Sequence, residues 1–203
     1  TQIARVADPY ASLPFPSIGE CIDADQRLQQ AEATLWPGTY CSGITVKASS
    51  RVNLMPGVYV LVDGPLRVDS GATLCGEEVM IAFTGKMATL QLYSNATVTL
   101  TSPKSGTYRN IQFFGDRQDS KQSLWATVIG DSKLNIDGAM YFPTQHVWLA
   151  GGSIINVNSP SYAIVTKKLW VQDNTVLNVT RENKRNLEVT EAARFEFNAR
   201  LVQ

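Results

Sequence analysis

Two blocks of this chain repeat almost letter for letter: Leu35-Trp36-Pro37-Gly38-Thr39-Tyr40 and Leu54-Met55-Pro56-Gly57-Val58-Tyr59, 19 residues apart. In each, the Pro-Gly pair marks a tight turn, because proline presets φ and glycine accepts a positive one. A second pattern recurs downstream, a turn residue followed by a small residue and then alternating apolar positions. Its clear copies are Ser70-Gly71-Ala72-Thr73-Leu74, Ser94-Asn95-Ala96-Thr97-Val98, Gly130-Asp131-Ser132-Lys133-Leu134, Gly151-Gly152-Ser153-Ile154-Ile155 and Asp173-Asn174-Thr175-Val176-Leu177, with a weaker one at Ser49-Ser50-Arg51-Val52. Aligned on the small residue, the steps are 22, 24, 36, 21 and 22. A period of this size is one coil of a solenoid.

The segments between the turns alternate with period two and are rich in Val, Ile, Leu, Thr and Tyr, which is strand patterning. A lone coil cannot bury its inward face, so stacked neighbours must do so as parallel sheets. The expected fold is all-β, a single-stranded right-handed parallel β-helix (β-solenoid) with coils of about 20–24 residues, the handedness following from the general chirality of parallel crossovers. A β-sandwich is the competing architecture, since short strands with regular turn signals suit it too. The one stretch with helical character, residues 25–33, reads equally as a polar edge strand.

Residues 1–20, rich in proline, read as an extended linker lying against the first coil. Residues 21–180 carry the solenoid, with an insertion at about 101–123 that accounts for the long step. The insertion contains a strand-like run, 110–114, followed by a polar surface loop. Residues 181–203 alternate charged and apolar positions near their end and suit a cap over the last coil or a tail. The chain is taken as an excised or processed piece, with any membrane anchor lying in a segment upstream of it.

Lysine plus arginine equals aspartate plus glutamate at 18 each, so no charge imbalance argues for a nucleic acid or an anionic membrane as partner. With 44% apolar residues in 203, one domain with a sizeable core is expected. Three cysteines leave one unpaired whatever their state. The preferred pairing is Cys21–Cys41, which flank the first repeat, with Cys75 a small buried hydrophobe; three reduced thiols are the alternative. One histidine, His146, and no closely spaced cysteine pair leave no ordinary zinc pattern.

Glycosidic hydrolysis needs two converging carboxylates. Asp63, Asp69, Asp116, Asp119, Asp131 and Asp137 are candidates, yet none recurs with a partner at one coil position. Asp116-Arg117 is the most suggestive pair, with a loop salt bridge or corner residue as its plain reading. His146 alternates with Val147 and faces outward or into a groove. The run 119–123 departs from the order of integrin-type metal sites. Asn95-Ala96-Thr97 and Asn178-Val179-Thr180 are formal glycosylation sequons that turn chemistry explains as repeat corners. No catalytic residue, metal or cofactor is assigned. Trp36, Tyr93, Tyr108, Trp125, Tyr141, Trp148 and Trp170 are too many for narrow coils; some are expected to line an outer face, where they can stack on a sugar or a protein, with inward aromatic ladders as the alternative of equal weight. Trp125, Trp148, Tyr108, Asp116 and Arg117 are the candidate binding residues.

The stretch 35–44, the block 54–60 and Asp63-Gly64-Pro65-Leu66 resemble the C-terminal region of TadG/TadE-like proteins, which are associated with the Flp (tight adherence) pilus of bacteria. Ser70-Gly71-Ala72-Thr73-Leu74, residues 111–117 and Met140-Tyr141-Phe142-Pro143-Thr144-Gln145 look like further blocks, so the resemblance spans roughly 8–180. It implies a pilus-assembly protein of the bacterial envelope with a pilin-like membrane segment and a domain in the periplasm or at the cell surface, whose partners are pilus or envelope proteins. A cysteine matching Cys41 is common in that pattern, in keeping with the disulfide; Cys75 and the charged tail depart from it. The function expected is a non-catalytic structural or adhesive module, with a carbohydrate-binding β-helix and a polysaccharide lyase or hydrolase as alternatives.

Overall fold

The computed structural model describes residues 8–22, 31–118, 124–160 and 163–180, and every regular element among them is a strand. The first coil runs through β1 (Glu32–Leu35), β2 (Gly38–Cys41) and β3 (Ile44–Val46), and the second through β4 (Arg51–Leu54), β5 (Gly57–Val62) and β6 (Leu66–Val68). The third holds β7 (Thr73–Gly76), β8 (Val79–Thr84) and β9 (Leu90–Leu92); the fourth β10 (Thr97–Thr101), β11 (Ile111–Gly115) and β12 (Trp125–Val128). In the fifth, β13 (Lys133–Asp137) is followed by the long β14 (Ala139–Leu149), and in the sixth β15 (Ile154–Asn158) by β16 (Ile164–Val171); β17 (Val176–Thr180) opens a seventh. All neighbours pair in parallel, which makes the chain a β-solenoid with three strand positions per coil.

The register reproduces the sequence repeat. On the first face Arg51 pairs with Thr73, Thr73 with Thr97, Thr97 with Lys133, Lys133 with Ile154 and Ile154 with Val176. The residue preceding each of these is the small corner residue of the repeat, and Ala72, Ala96, Ser132 and Ser153 are buried there. Ser132 and Ser153 each donate a 2.7 Å hydrogen bond to the carbonyl three residues back, closing the bend from inside. The outer side of the corners is made by Asn95, Asp131, Asp173 and Asn174 at positive φ, a conformation that short polar side chains tolerate.

Inward positions form unbroken apolar columns. Val52, Leu74, Val98, Leu134, Ile155 and Leu177 stack on the first face, and Val46, Val68, Leu92, Val128, Leu149 and Val171 on the third. The Pro-Gly-x-Tyr blocks serve this interior. Tyr40 and Tyr59 turn inward with rings stacked 5.9 Å apart, and each hydroxyl reaches the carbonyl four residues back, Trp36 at 2.6 Å and Met55 at 2.8 Å. Burial pushes the Tyr59 phenol well above its ordinary range, so it stays a donor. The long step of 36 residues arises in the fourth coil, where the connections from β10 to β11 and from β11 to β12 are longer than in its neighbours. There β10 and β12 keep register, and β11 shifts register once between Ile111 and Phe113. Gln145 of the fifth coil reaches the third directly. Its amide donates to Ala88 and accepts from Thr89, two coils away.

The second face departs from alternation. Its strands are buried on both sides, inward against Phe83, Phe113 and Phe142 and outward against the N-terminal segment. Tyr10, Leu13 and Phe15 pack on Val60, Met80, Ala82, Phe114 and Tyr141, so residues 8–22 form a strap running from the fifth coil back to the first. The linker expected against the first coil therefore crosses several. Its far end bridges Cys21 to Thr39 beside β2, covering an edge that would otherwise be open, and the Cys21–Cys41 disulfide fixes it there. Cys75 corrects an expectation: it is free and half-buried on the outward side of β7, its thiol 3.6 Å from the Asn53 amide oxygen, because Leu74 and Gly76 take the inward positions. Residues 1–7, 25–30 and the tail at 181–203 lie outside the described residues; Glu32 and Ala33 are strand.

At the second corner Gly43 and Gly64 bring successive coils into backbone contact. A Cβ on Gly64 would lie 1.9 Å from the Ser42 carbonyl carbon, whereas one on Gly106 meets nothing within 4 Å. Gly64→Ala is expected to lower stability in urea unfolding by more than about 2 kcal/mol, against about 1 kcal/mol for Gly106→Ala, whose left-handed φ is its only penalty. Equal effects would refute the stacked-corner account. Loss of the disulfide through Cys41→Ser should lower stability by about 3 kcal/mol in the loop-entropy description, read as a melting-temperature drop that reduction of the wild type reproduces.

Candidate binding surface

The five candidate residues fall on two different faces. Arg117, just beyond β11, donates through its two terminal nitrogens to the carbonyls of Tyr10 and Leu13, both at 2.6 Å, with its guanidinium 5.9 Å from the Phe114 ring. The Tyr108 hydroxyl donates to Pro14 at 3.3 Å, and burial raises its pKa. Asp116 accepts from the Thr84 hydroxyl at 2.8 Å and from the Gln118 backbone at 2.9 Å. Of the two plain readings of the Asp116-Arg117 pair, a loop salt bridge or a corner residue, the first is replaced by these separate partners. Tyr108 and Arg117 are thus holders of the strap. Beneath it, Tyr141 donates to Asp8 at 2.7 Å; burial first, and then the carboxylate, push its phenol up, while the Arg117 guanidinium pulls the other way.

Trp125 and Trp148 belong to the third face, on its outward side. There Trp125, His146 and Lys168 occupy one register position in successive coils, and Thr127, Trp148 and Trp170 the next. The Trp125 ring lies over His146 at 4.7 Å and meets Trp148 at 6.5 Å and Trp170 at 5.1 Å edge to face. The Lys168 ammonium stands 4.4 Å from the centre of the Trp170 ring, which is 43% exposed. Such edge-to-face and cation–π geometries each add a modest attraction beyond area burial. Trp36, the other exposed tryptophan, sits at the opposite end of the stack in the first coil. Tyr93 lies under the Arg67 guanidinium, which is paired with Asp69 at 2.6 Å; that hydrogen bond holds the guanidinium pKa up.

Lys168 and Trp170 were not among the candidates for want of a register. Yet Trp125, His146 and Lys168 are spaced by the same steps as Lys133, Ile154 and Val176, so the repeat carried the signal.

A second feature missed in sequence is a ladder on the first face. Asn178 donates to Asn156 at 2.8 Å and Asn156 to Asn135 at 2.6 Å. It flanks a shallow trough of about 260 Å³ with Asp137, Asn158 and Thr180 on the other side. Asn178 therefore sits mid-strand in a ladder and not on a corner, which corrects the reading of its sequon; Asn95 is at a corner as expected. Of the carboxylates considered for catalysis, Asp63 accepts from the Lys86 backbone at 2.7 Å, Asp69 pairs with Arg67 and Asp137 with Lys104. Asp131 makes a corner, and Asp119 lies outside the described residues. Among the described residues no group of three His, Cys, Asp or Glu side chains is placed to hold a metal ion.

The fold and the outward aromatic cluster define a parallel β-solenoid with a built side-chain face. Comparison with family models, with curated proteins and with solved structures gives no match to this chain.

Replacing Arg117 by alanine leaves two strap carbonyls without their charged donor, a loss of about 1–3 kcal/mol. Hydrogen exchange should show lost amide protection at 10–16 with the inner strands unchanged. Unaltered protection of the strap would refute its role as the clamp.

Proposed function

We propose that this chain is a non-catalytic structural or adhesive module acting outside the cytoplasm, associated with a Tad-type (tight adherence) pilus of a bacterial envelope. Its contact surface is the outward side of the third face. The observation that carries the reading is the gathering of Trp125, Trp148 and Trp170 from three successive coils into one partly exposed cluster. Tryptophans so grouped are costly to leave beside water and are the residues that most often dominate contact energies. A rigid parallel stack holds them without a mobile loop, so little ordering is needed on binding. The Cys21–Cys41 disulfide suits an oxidising compartment. The pilus association is supported by the resemblance of the Pro-Gly-x-Tyr and 140–145 blocks, and its partners would be pilus or envelope proteins.

Binding of the purified domain to bacterial or abiotic surfaces and to a glycan array tests the proposal. Trp170→Ala should weaken capture about tenfold, or about 1.4 kcal/mol, with a melting temperature within a few degrees of the wild type, whereas Trp36→Ala should leave it unchanged. Release of reducing ends from any polysaccharide bound would sink the non-catalytic reading.

A further inference from the structure

The charge around the tryptophans indicates what kind of ligand they suit. The strands of the third face, β3, β6, β9, β12 and residues 146–149 and 168–171, contain Arg67, His146 and Lys168 and not one aspartate or glutamate. Asp69, just past β6, is already engaged with Arg67. Lys168 has no carboxylate partner among the described residues, and its ammonium rests against Trp170 instead.

Two polar atoms in the same cluster point the same way. The indole nitrogen of Trp148 and the hydroxyl of Thr127, register neighbours on β14 and β12, are buried with no hydrogen-bond partner. Buried polar groups are nearly always partnered, and here the Trp125 and Trp148 rings meet edge to face at 6.5 Å. A ligand that shifts the Trp125 ring and brings hydroxyl groups would satisfy both.

We propose that the outward side of the third face binds an acidic polysaccharide. Its sugar rings lie with their apolar C–H faces against Trp125 and Trp170, its hydroxyls meet the Trp148 nitrogen and the Thr127 oxygen, and its carboxylate or sulfate meets Lys168. The chemistry demanded is a flat apolar face, a hydroxylated rim and an anion on one chain, which a protein surface supplies less regularly than a uronic or sulfated glycan. Successive coils stand about 4.8 Å apart, so the three tryptophan-bearing coils offer an extended platform and not a single pocket. This inference rests on the reading of the third face as the contact surface and specifies its ligand.

The test is titration of the whole chain with a polyuronate, dextran sulfate and uncharged dextran of matched length, at salt from about 50 to about 500 mM, where screening length shortens severalfold. The expected result is binding of one or both acidic polymers, at least tenfold tighter than dextran and weakened by salt. Trp170→Ala and Lys168→Glu should each reduce it at least tenfold, with Trp36→Ala as an unchanged control. The polyuronate and sulfate arms identify which anion is preferred. Trp170-dependent binding of dextran that ignores Lys168→Glu would overturn the acidic preference while leaving the contact surface standing. Binding that falls with Lys168→Glu but not with Trp170→Ala would show simple charge attraction and overturn the site. Failure of all three polymers, with surface capture still lost in Trp170→Ala, would overturn a glycan ligand and leave a protein partner.

Discussion

The parallel register between coils is the constraint on which everything else hangs. One coil exposes an inward row of Val, Leu and Ile side chains and a row of unpaired backbone groups on each edge. Only the next coil, placed with equivalent residues over one another, satisfies both at once. The columns from Val52 to Leu177 and from Val46 to Val171 are the result. Because a polar residue in such a column would lose its water without gaining a partner, the apolar positions must recur at the coil length. The fourth coil tests the rule: its connections lengthen, yet β10 and β12 hold register and β11 recovers it after one shift, while Gln145 of the fifth coil bonds directly to the third.

The same geometry explains why one face is different. Strands exposed on one side alternate apolar and polar, whereas those covered on both read as continuous apolar runs. Val79–Phe83 is such a run, and Ile111–Gly115 is one broken only by Gln112, whose amide donates to the Val79 carbonyl; the strap of residues 8–22 covers their outer side. The strap adds no sheet there. It is held by ring packing of Tyr10 and Phe15, by the Arg117 guanidinium on two carbonyls and by the disulfide at its far end. The third face has no such cover among the described residues, and its outward tryptophans pack on one another and on Lys168.

The repeat period, the strand positions and the corner chemistry were all legible in the sequence, because register forces equivalent residues to equal spacing. The steps of 22, 24, 36, 21 and 22 reappear as backbone partners. The Cys21–Cys41 pairing was legible as well, since both flank the first repeat. The Trp125, His146 and Lys168 alignment follows from the same steps once they are applied to outward positions, and so does the asparagine ladder at 135, 156 and 178.

Tertiary structure decided the rest. Arg117 and Tyr108 are about a hundred residues from the strap they hold, and no local pattern encodes a partner at that distance. Cys75 faces outward because pairing with Thr99 and Asn53 sets its side of the strand, which composition alone could not assign. Tyr141 is buried from outside the coil, a possibility hidden until the strap has a place. Sequence by itself determined that this chain stacks on itself, since periodicity is a local property of each coil. Which outer face is covered, and which has no cover among the described residues, was settled only in three dimensions, where the strap of residues 8–22 meets strands far from it in sequence.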